Sequence, residues 1–585
     1  MLYPRLQASQ TTRQMIDAFR GYNHNLRVAD GEFYEMENMT SDFYPVLSPR
    51  GKRGIYKTCE GLTGIIAKDS LCYVDGADFV IGETRIAMGL STALADCPKR
   101  LVSMGAYVII MPDKKYINTI EPDDRGDIEA SYVSSGDVTF RLCSITGEAI
   151  TQATVGAEAP ANPANGAMWL DTSVTPNALK QYSESSGMWV SVASTYIRIE
   201  CAGIGEKFQK YDAVEISGVK SGKLQDLNAS MVIWDKGTDF VVVAGIVDEV
   251  VTQAASEGAV KLERRMPNMD FIVESENRLW GCRYGLNRKG ETVNEIYASK
   301  LGDFKNWSCY MGLSTDSYAA SCGTDGAFTG ATAYMGNPVF FKETCLHKVY
   351  GNYPANFQIQ TTACRGVQKG SYRSLAVVNE VLYYKAGTAV CAYDGSIPTE
   401  ISYCLGAEQY KEAVGGSLGN KYYISMLDSL GKAHLFVWDT AKKLWHREDG
   451  FRAARMESIG GTLYAMEEGT GRIWDMTRAG DSPEDKVKWS VETGEIGLEM
   501  PDMKYLARMI IRMSLEAGTE VRIYARYDFS QDWEPLFAVR STRLRSFDIP
   551  VRAKRCDYMQ LRIEGDGPGK IYSITKTIQQ GSGRS

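Results

Sequence analysis

A sequence repeat with a fixed step of 41 residues constrains the fold of this chain more than any other feature. Corresponding positions fall at Asn379, Asn420 and Gly461, inside a stretch that runs from about residue 371 to 476. Each repeat holds an aromatic-rich strand, a turn of glycine and small polar residues, and a second strand. The second strand ends in an aromatic residue followed by aspartate, at Tyr393-Asp394, Trp438-Asp439 and Trp474-Asp475. A step of this size is the length of one four-stranded propeller blade.

Radial packing explains why such a repeat would be stable. A single four-stranded sheet leaves two open edges and an apolar face, whereas several sheets around an axis bury their faces against one another. Tyrosine and tryptophan suit those faces because each ring buries a large apolar area. The sequence therefore predicts an all-β chain built on a β-propeller of roughly six to eight blades. A generic β-meander, or the two packed sheets of a sandwich, is the alternative, although sandwiches seldom repeat at a fixed interval.

The blade pattern divides the chain into segments. We expect an extended N-terminal arm over residues 1–55 that packs along a larger body or a neighbouring subunit, because its aromatic residues are too dense for disorder. A first propeller part covers 56–120, a second covers 266–489, and alternating strands over 490–585 predict a C-terminal β-sandwich. The pattern breaks between the propeller parts, where we expect a small β-unit over 121–192 and a β-barrel-like domain over 193–265. These two units are either insertions in a propeller loop or separate domains that divide two propeller halves.

Composition excludes some classes of function. The 585 residues carry a net charge of −7, with 44% hydrophobic and 23% charged residues, which are ordinary globular values. A mildly acidic chain is not expected to grip nucleic acid with its main surface.

Cysteine and histidine usage argues against a metal or a cofactor. The 13 cysteines are scattered without any Cys-x-x-Cys pair, and many lie in apolar strands, as expected for reduced core thiols in a protein folded in the cytosol. His24, His347, His434 and His446 have no ligand spacing. We therefore expect no metal site and no cofactor.

Targeting signals are also lacking in the sequence. The strongest apolar run, from Phe240 to Val247, has the length of a strand, so no membrane span is expected. The N-terminus has no apolar segment typical of a secretion signal. We expect synthesis and folding in the cytoplasm.

No catalytic motif is evident, and the sequence predicts that the chain is not an enzyme, with no catalytic, cofactor-binding or metal residue to name. The acidic turn 121–127 and the group Asp270, Glu274 and Glu276 lack the spacing of a calcium loop. Gly302-Asp303 is interpreted as an ordinary blade turn. Trp169, Trp189 and Tyr182 are interpreted as the packing of a small β-unit, with a sugar-stacking platform as the alternative.

Several segments resemble bacteriophage and prophage tail proteins. They are the arm motif Glu37-Asn-Met-Thr with Pro45-Val-Leu-Ser-Pro-Arg-Gly, the run Asn277-Arg-Leu-Trp-Gly with Asn294-Glu-Ile-Tyr-Ala-Ser and Phe304-Lys-Asn-Trp, the pair Phe340-Phe-Lys and Tyr350-Gly, and the module-like stretch 162–173. The chain is similar in these motifs to tail nozzle proteins, or packaged-DNA stabilisation (head completion) proteins, of short-tailed phages. The resemblance covers about two thirds of the chain, while the inserted units depart from simpler members of the family.

The resemblance implies a virion structural protein made in the host cytoplasm and located in the tail. Its expected role is a nozzle or adaptor ring of several identical copies that forms part of the DNA conduit and closes it. Expected partners are other tail or adaptor proteins, and genomic DNA that passes the lumen without specific binding. The alternative function is a tail-tip protein that binds a host receptor or glycan through the inserted β-units, and a propeller glycosidase is the third hypothesis.

Overall fold

The computed structural model of the chain describes residues 10–480 and 482–581, and strands make up nearly all of its regular structure. Its helical elements are short 3-10 turns, at Leu94–Asp96, Gly222–Leu227, Ala255–Glu257, Pro354–Asn356, Tyr372–Ser374 and Tyr403–Leu405. The predicted all-β class is confirmed.

Seven four-stranded antiparallel sheets in these ranges form the blades of a propeller, which we number in chain order. Blade 1 consists of Leu62–Ala67, Leu71–Asp75, Asp78–Ile81 and Thr84–Ala87, and blade 2 of Arg100–Met104, Tyr107–Met111, Lys115–Asn118 and Arg125–Asp127. Blade 3 consists of Phe271–Ser275, Arg278–Leu286, Thr292–Ala298 and Tyr318–Ser321, and blade 4 of Gly330–Tyr334, Asn337–Phe341, Cys345–Tyr350 and Gln358–Ala363. Blade 5 consists of Ala376–Val378, Val381–Lys385, Val390–Tyr393 and Thr399–Glu400, and blade 6 of Lys411–Leu418, Lys421–Leu427, Ala433–Asp439 and Leu444–Arg447. Blade 7 consists of Ala453–Ile459, Thr462–Glu467, Arg472–Asp475 and Gly54–Thr58.

The ring closes through its last blade. Its outer strand, Gly54–Thr58, comes from the N-terminal segment and pairs antiparallel with Arg472–Asp475. A buried apolar cluster fills every junction between neighbouring blades, including the junction of blade 7 with blade 1, where Ile473 and Met466 share a core with Leu71. Joining the two ends of the ring within one sheet leaves no blade with an open face, which is the condition for a stable wheel.

The 41-residue step marks the turn between the first two strands of blades 5, 6 and 7. Asn379 and Gly419 have positive φ angles of 48° and 54°, and Gly460 has 58°, so these turns need residues that tolerate the left-handed region. The Asn379 side chain donates a hydrogen bond to the Asn420 side chain at 3.1 Å. The repeated asparagines therefore also tie neighbouring turns together.

The repeated aspartates end the third strand of each of these blades. Asp394, Asp439 and Asp475 each accept a hydrogen bond from the backbone N–H two residues later, at 2.9–3.1 Å. Such a bond bends the chain into the turn before the next strand. The aspartates in the motif are thus explained by turn formation.

The inserted domains are nested, which differs from the two consecutive units expected at 121–192 and 193–265. A curled eight-stranded sheet has the strand order Ala130–Val133, Lys261–Arg264, Ala213–Ser217, Ser230–Lys236, Phe240–Ala244, Tyr196–Glu200, Val138–Cys143 and Val251–Gln253. A four-stranded sheet lies between two of its strands in the sequence, at Thr154–Gly156, Met168–Asp171, Ala178–Ser183 and Met188–Ser191. Strands before and after the small sheet must pair with each other to complete the larger one, a long-range pairing that local pattern cannot show.

Most of the segment expected to be an extended arm is part of the C-terminal sandwich, and its last residues begin the outer strand of blade 7; residues 1–9 lie outside the described ranges. One sheet of the sandwich has the order Thr11–Ile16, Gly569–Gln580, Lys504–Leu515 and Arg545–Ile549. The other has the order Gly21–Tyr22, Glu32–Glu37, Lys488–Thr493, Met559–Asp566, Glu520–Tyr527 and Glu534–Val539, and a short ribbon joins Met39–Thr40 to Ser48–Pro49. The arm aromatics Phe19, Tyr22 and Phe33 are buried in this chain's own core.

One continuous core joins the sandwich to the propeller. Tyr22 and Phe33 from the N-terminal strands pack in the same buried cluster as Phe436 and Trp445 of blade 6. The rings of Tyr22 and Phe436 lie 5.5 Å apart, and the Trp445 indole donates to the Ile401 carbonyl at 2.7 Å. The sandwich is therefore packed on the propeller through buried apolar surface.

Candidate functional site

One cavity of the propeller lies where the inner strands of several blades converge. It has a volume of about 330 Å³ and is bordered by the inner strands of blades 1, 2, 3, 4 and 7, together with the 3-10 turn that precedes blade 5. Side chains from positions far apart in the sequence meet here, among them Arg100, Ser103, Phe271, Glu274, Thr332, Tyr372, Arg373 and Arg455.

The turn Tyr372–Ser374 brings an aromatic ring and a guanidinium to this cavity. Two buried serines hold the turn in place. The Ser374 hydroxyl donates to the Ser371 carbonyl at 2.6 Å and accepts the Lys385 backbone N–H at 2.9 Å. The Ser371 hydroxyl accepts the Ala413 N–H at 3.0 Å. The turn is therefore fixed to blades 5 and 6 by hydrogen bonds from both sides.

A glycine in blade 6 makes room for the turn. A Cβ atom at Gly415 would lie 2.6 Å from the Ser374 carbonyl oxygen and 2.9 Å from a carbon of the Tyr422 ring. The Tyr422 hydroxyl donates to that same carbonyl at 2.7 Å. Glycine at this position thus allows the backbone of the turn to lie directly on the blade.

Three guanidinium groups border the cavity, and they differ in their partners. Arg455 forms an ion pair with Glu457 at 2.7 Å. Arg100 donates to the Asp270 backbone carbonyl, while Arg373 donates to the Tyr372 hydroxyl at 3.0 Å and the Ala454 carbonyl at 3.2 Å. Within residues 10–480 and 482–581, neither Arg100 nor Arg373 has a carboxylate within ion-pair distance.

The other charged residues do not cancel this positive charge. The Lys99 ammonium is buried against Asp113 at 2.6 Å, so that pair is neutral as a unit. Glu274 accepts a hydrogen bond from the Asn277 backbone N–H at 3.0 Å and has no cationic partner in the described ranges. The lining therefore carries an excess of positive charge in a chain whose net charge is −7.

The positive charge of the cavity lining also lowers the pKa of the Tyr372 phenol. Burial alone would raise the pKa of its phenol, but the charges of Arg373, Arg100 and Arg455 outweigh burial and hold the pKa below its usual value. Arg100 lies over both aromatic rings of the cavity, 5.1 Å from the centre of Phe271 and 5.2 Å from that of Tyr372. Such stacking favours a guanidinium on an aromatic face.

The inserted domains belong to the same face of the propeller as the cavity. They form the connection from the outer strand of blade 2 to the inner strand of blade 3, and such connections lie on the face where inner strands begin. Arg100 and Phe271, which border the cavity, are the first residues of their inner strands. Asp270, whose backbone carbonyl accepts a hydrogen bond from Arg100, is the residue directly before the inner strand of blade 3.

The aromatic residues singled out in the small inserted sheet do meet. The Trp189 ring lies edge-on to Trp169 at 5.5 Å and to Tyr182 at 5.4 Å. Trp169 is 6% exposed and donates its indole N–H to the Gly156 carbonyl at 2.9 Å. Because the rings are tilted against each other, they do not present one flat stacking surface.

Several of the acidic residues considered for calcium bind protein groups instead. In the acidic turn, Asp124 accepts the Tyr107 hydroxyl at 2.7 Å and Asp127 pairs with Lys115. Asp270 pairs with Arg283 at 2.6 Å, whereas Glu274 has no cationic partner in the described ranges and borders the cavity. No group of three or more metal-ligating side chains occurs among the described residues.

Asp303 and the histidines also make contacts inside the protein. Asp303 accepts the Lys305 N–H at 3.0 Å, as expected for a turn aspartate. His347 and His446 are buried, and burial lowers the pKa of each imidazole, to about 4 and about 3 respectively. His24 lies beside Glu35, and His434 lies 2.9 Å from Asp428.

The sequence analysis did not single out Arg100, Tyr372, Arg373 or Arg455 as functional residues. A usable signal was present, since each lies just before a blade's first strand or within its first three residues. Once a propeller is predicted, polar residues at those positions are candidates for the axis. The sequence alone did not reveal that these four residues border one cavity.

Comparison with known proteins assigns no family to this chain. No family model and no curated protein matches the sequence. Among solved structures, the chain is similar to an exo-beta-1,3-galactanase from Phanerochaete chrysosporium at 7% identity, covering 52% of this chain and 94% of that one with a TM-score of 0.21. It is also similar to an engineered GH43 glycoside hydrolase (8% identity, 53% and 99% covered, TM-score 0.20) and to a mutant of Trypanosoma rangeli sialidase displaying trans-sialidase activity (8%, 97% and 95%, 0.18).

These matches correct one expectation. The sequence analysis predicted that the chain is not an enzyme, and that prediction is wrong as stated because the matched structures are glycoside hydrolases and a sialidase. The absence of a short catalytic motif was a weak basis for it, since propeller enzymes gather their side chains from several blades. TM-scores near 0.2 do not assign a reaction to this chain.

No helix in the described ranges is long and apolar enough to cross a membrane.

Proposed function

We propose that the chain is a carbohydrate-binding propeller protein that holds a sugar residue in the axial cavity. The observation that carries the proposal is the lining of the cavity, where two aromatic rings and several hydrogen-bonding side chains border one space. A sugar ring has apolar C–H faces and a rim of hydroxyl groups, so it needs both kinds of contact. Phe271 and Tyr372 supply the aromatic surface, and Ser103, Thr332 and Glu274 supply hydrogen-bonding groups.

The size and place of the cavity agree with a small ligand. A volume of about 330 Å³ is at the lower end of the range for ligand sites. The hydrogen bonds that fix the turn Tyr372–Ser374 hold the site ready before a ligand arrives, which lowers the entropy cost of binding. This proposal places saccharide recognition on the propeller axis, whereas the sequence analysis placed it in the inserted units.

Blocking the cavity should abolish saccharide binding. In Thr332→Trp an indole replaces a side chain that borders the cavity, and we expect no detectable heat by isothermal titration calorimetry with any sugar that the unmodified chain binds. The ligands are a panel of neutral and acidic monosaccharides and short oligosaccharides. Release of reducing sugar in the same mixtures would show that the chain also hydrolyses a saccharide.

Thr542→Trp is the matched control for this experiment. Thr542 lies exposed in a loop of the sandwich, so the same substitution adds the same bulk away from the propeller axis. We expect this variant to bind as the unmodified chain does. Equal binding by both tryptophan variants, or no binding of any saccharide by the unmodified chain, would contradict the proposal.

We also propose, from the resemblance of its motifs, that the chain functions in a phage tail. The arm motif has a defined place in the fold, because the Asn38 side chain accepts a hydrogen bond from Arg50 at 2.8 Å. Arg50 in turn pairs with Glu484, just before the sandwich. The arm motif therefore supports the junction of propeller and sandwich, which a rigid tail component would need.

The native mass of the assembly separates the two kinds of tail protein. For a nozzle or adaptor we expect a closed ring of roughly six copies, since rings close when each copy contacts the next in the same way. Mass photometry of the purified chain measures this directly. A trimer would favour the tail-tip glycan binder, and a monomer at micromolar concentration would count against the ring.

A further inference from the structure

We infer that the saccharide held in the axial cavity carries one anionic group, a carboxylate, which Arg100 and Arg373 bind. The inference rests on the proposed function, because it names the class of sugar for that same site. It depends on the guanidinium groups, whereas the proposal of saccharide binding depended on the aromatic and hydroxyl lining.

Arg100 is placed to receive an anion. One of its N–H groups bonds to the Asp270 carbonyl, and its plane is supported by the rings of Phe271 and Tyr372. A guanidinium has five N–H donors in a fixed fork that matches a carboxylate. Its other donors have no protein acceptor in the described part of the chain, so Arg100 can offer a paired contact to a ligand.

Arg373 offers a second contact from the neighbouring turn. Its Nε donates to the Tyr372 hydroxyl at 3.0 Å and one terminal nitrogen donates to the Ala454 carbonyl at 3.2 Å. The other terminal nitrogen has no acceptor among the described residues. Because the turn is fixed by Ser371 and Ser374, this donor is held in position without a ligand.

The charges of the site need a negative partner. Half-buried guanidiniums lose part of their hydration, and a charge-assisted hydrogen bond to a carboxylate compensates for that loss. In many proteins a nearby aspartate or glutamate fills this role, as Glu457 does for Arg455 here. Arg100 and Arg373 instead face the cavity, which makes a bound anion the missing partner.

Glu274 limits the number of negative charges on the ligand. Its carboxylate borders the same cavity and is not neutralised by a cation in the described ranges. It can accept hydrogen bonds from sugar hydroxyls, whereas it would repel a second anionic group. The lining thus favours a sugar with one carboxylate, such as a uronic acid, over a densely sulfated saccharide.

Calorimetry with matched sugars tests the inference. The probes are glucuronate and galacturonate, the neutral sugars glucose and galactose, a sulfated disaccharide, and acetate. We expect the unmodified chain to bind at least one uronate about 10- to 100-fold more tightly than the matching hexose, the effect of hydrogen bonds to a charged group. Arg100→Gln and Arg373→Gln should each remove most of that preference, measured as the ratio of uronate to hexose affinity within the same variant.

Two further variants show that the effect belongs to the site. Arg100→Lys keeps the charge but loses the fork, so we expect an intermediate preference for the uronate. Arg508→Gln changes an exposed arginine of the sandwich and should bind as the unmodified chain does. Near-ultraviolet circular dichroism of each variant confirms that the aromatic packing is intact.

The outcomes separate this inference from the proposed function. Equal affinity for uronate and hexose, or a preference that survives in both glutamine variants, would overturn the inference and leave saccharide binding standing. Tighter binding of the sulfated disaccharide than of the uronate would overturn the limit of one charge. Binding of acetate without any saccharide would overturn the proposed function itself.

Discussion

Replacing Arg53 by alanine is expected to lower the free energy of unfolding by about 3–5 kcal/mol, the cost of removing one partner from a buried ion pair. The Arg53 side chain is 3% exposed and pairs with Glu448 and, at 2.7 Å, with Asp449. Without the guanidinium, Glu448 and Asp449 would be left close together with much less positive charge beside them. Urea unfolding followed by tryptophan fluorescence measures the change.

The position of Arg53 in the chain makes this effect large. It directly precedes the strand Gly54–Thr58 that completes blade 7, and its backbone N–H donates to Glu484 at 3.0 Å. The arginine thus fixes the closing strand to blade 6 and to the segment before the sandwich. Arg508→Ala, which breaks an exposed pair with Asp548, is the control and should change stability little or not at all. A loss in Arg53→Ala no larger than in this control would contradict the prediction.

The pH dependence of the Arg53 effect has a defined sign. Burial raises the pKa of Asp449, but Arg53 and Arg50 outweigh burial and lower it below its usual value. A carboxyl with a lowered pKa stabilises the fold above its unfolded pKa, and this contribution is lost as pH falls through its folded pKa. The stability difference between the unmodified chain and Arg53→Ala should therefore shrink in acid.

Gly415→Ala is expected to weaken saccharide binding roughly 10-fold or more, because displacements of about 1 Å in a binding constellation have effects of this size or larger. The added methyl would lie 2.6 Å from the Ser374 carbonyl oxygen, so the turn that carries Tyr372 and Arg373 must move. Titration of the tightest sugar found for the unmodified chain measures the loss. The variant tests whether the position of the turn, and not only its chemistry, matters for binding.

Gly387→Ala is the matched control, since a Cβ atom at Gly387 meets no atom within 4 Å. We expect this variant to bind the sugar normally. Tyr422→Phe provides a milder test of the same position, because it removes only the hydroxyl that donates to Ser374 at 2.7 Å. Unchanged affinity in both Gly415→Ala and Tyr422→Phe would show that the turn does not position the ligand.

The propeller was predictable because its repeat is local. A strand, a turn that tolerates a positive φ angle and a second strand ending in aromatic-Asp are formed by residues close in sequence, as at Asn379 and Asp394. Local pairing of this kind leaves a pattern in the sequence. The pattern predicted six to eight blades, and residues 10–480 and 482–581 form seven.

The predictions about the fold that failed concern long-range pairing. The strand Thr11–Ile16 pairs with Gly569–Gln580, and Val138–Cys143 pairs with Tyr196–Glu200 across the small inserted sheet. An isolated strand shows which of its faces is buried, but it does not show its partner. The N-terminal segment was therefore predicted to be an arm, and the nested insertion was predicted to be two consecutive units.

The sequence by itself determined that this chain is an all-β propeller with inserted domains and a sandwich, because hairpins and their turns are fixed by neighbouring residues. Only the tertiary structure decided that Arg100, Arg373 and Arg455 border one cavity with Tyr372 and Glu274. Those residues come from three blades and the turn before a fourth blade's strands. They meet because radial packing of the blades sets which inner strands face the axis and at what height, and that packing depends on the whole ring.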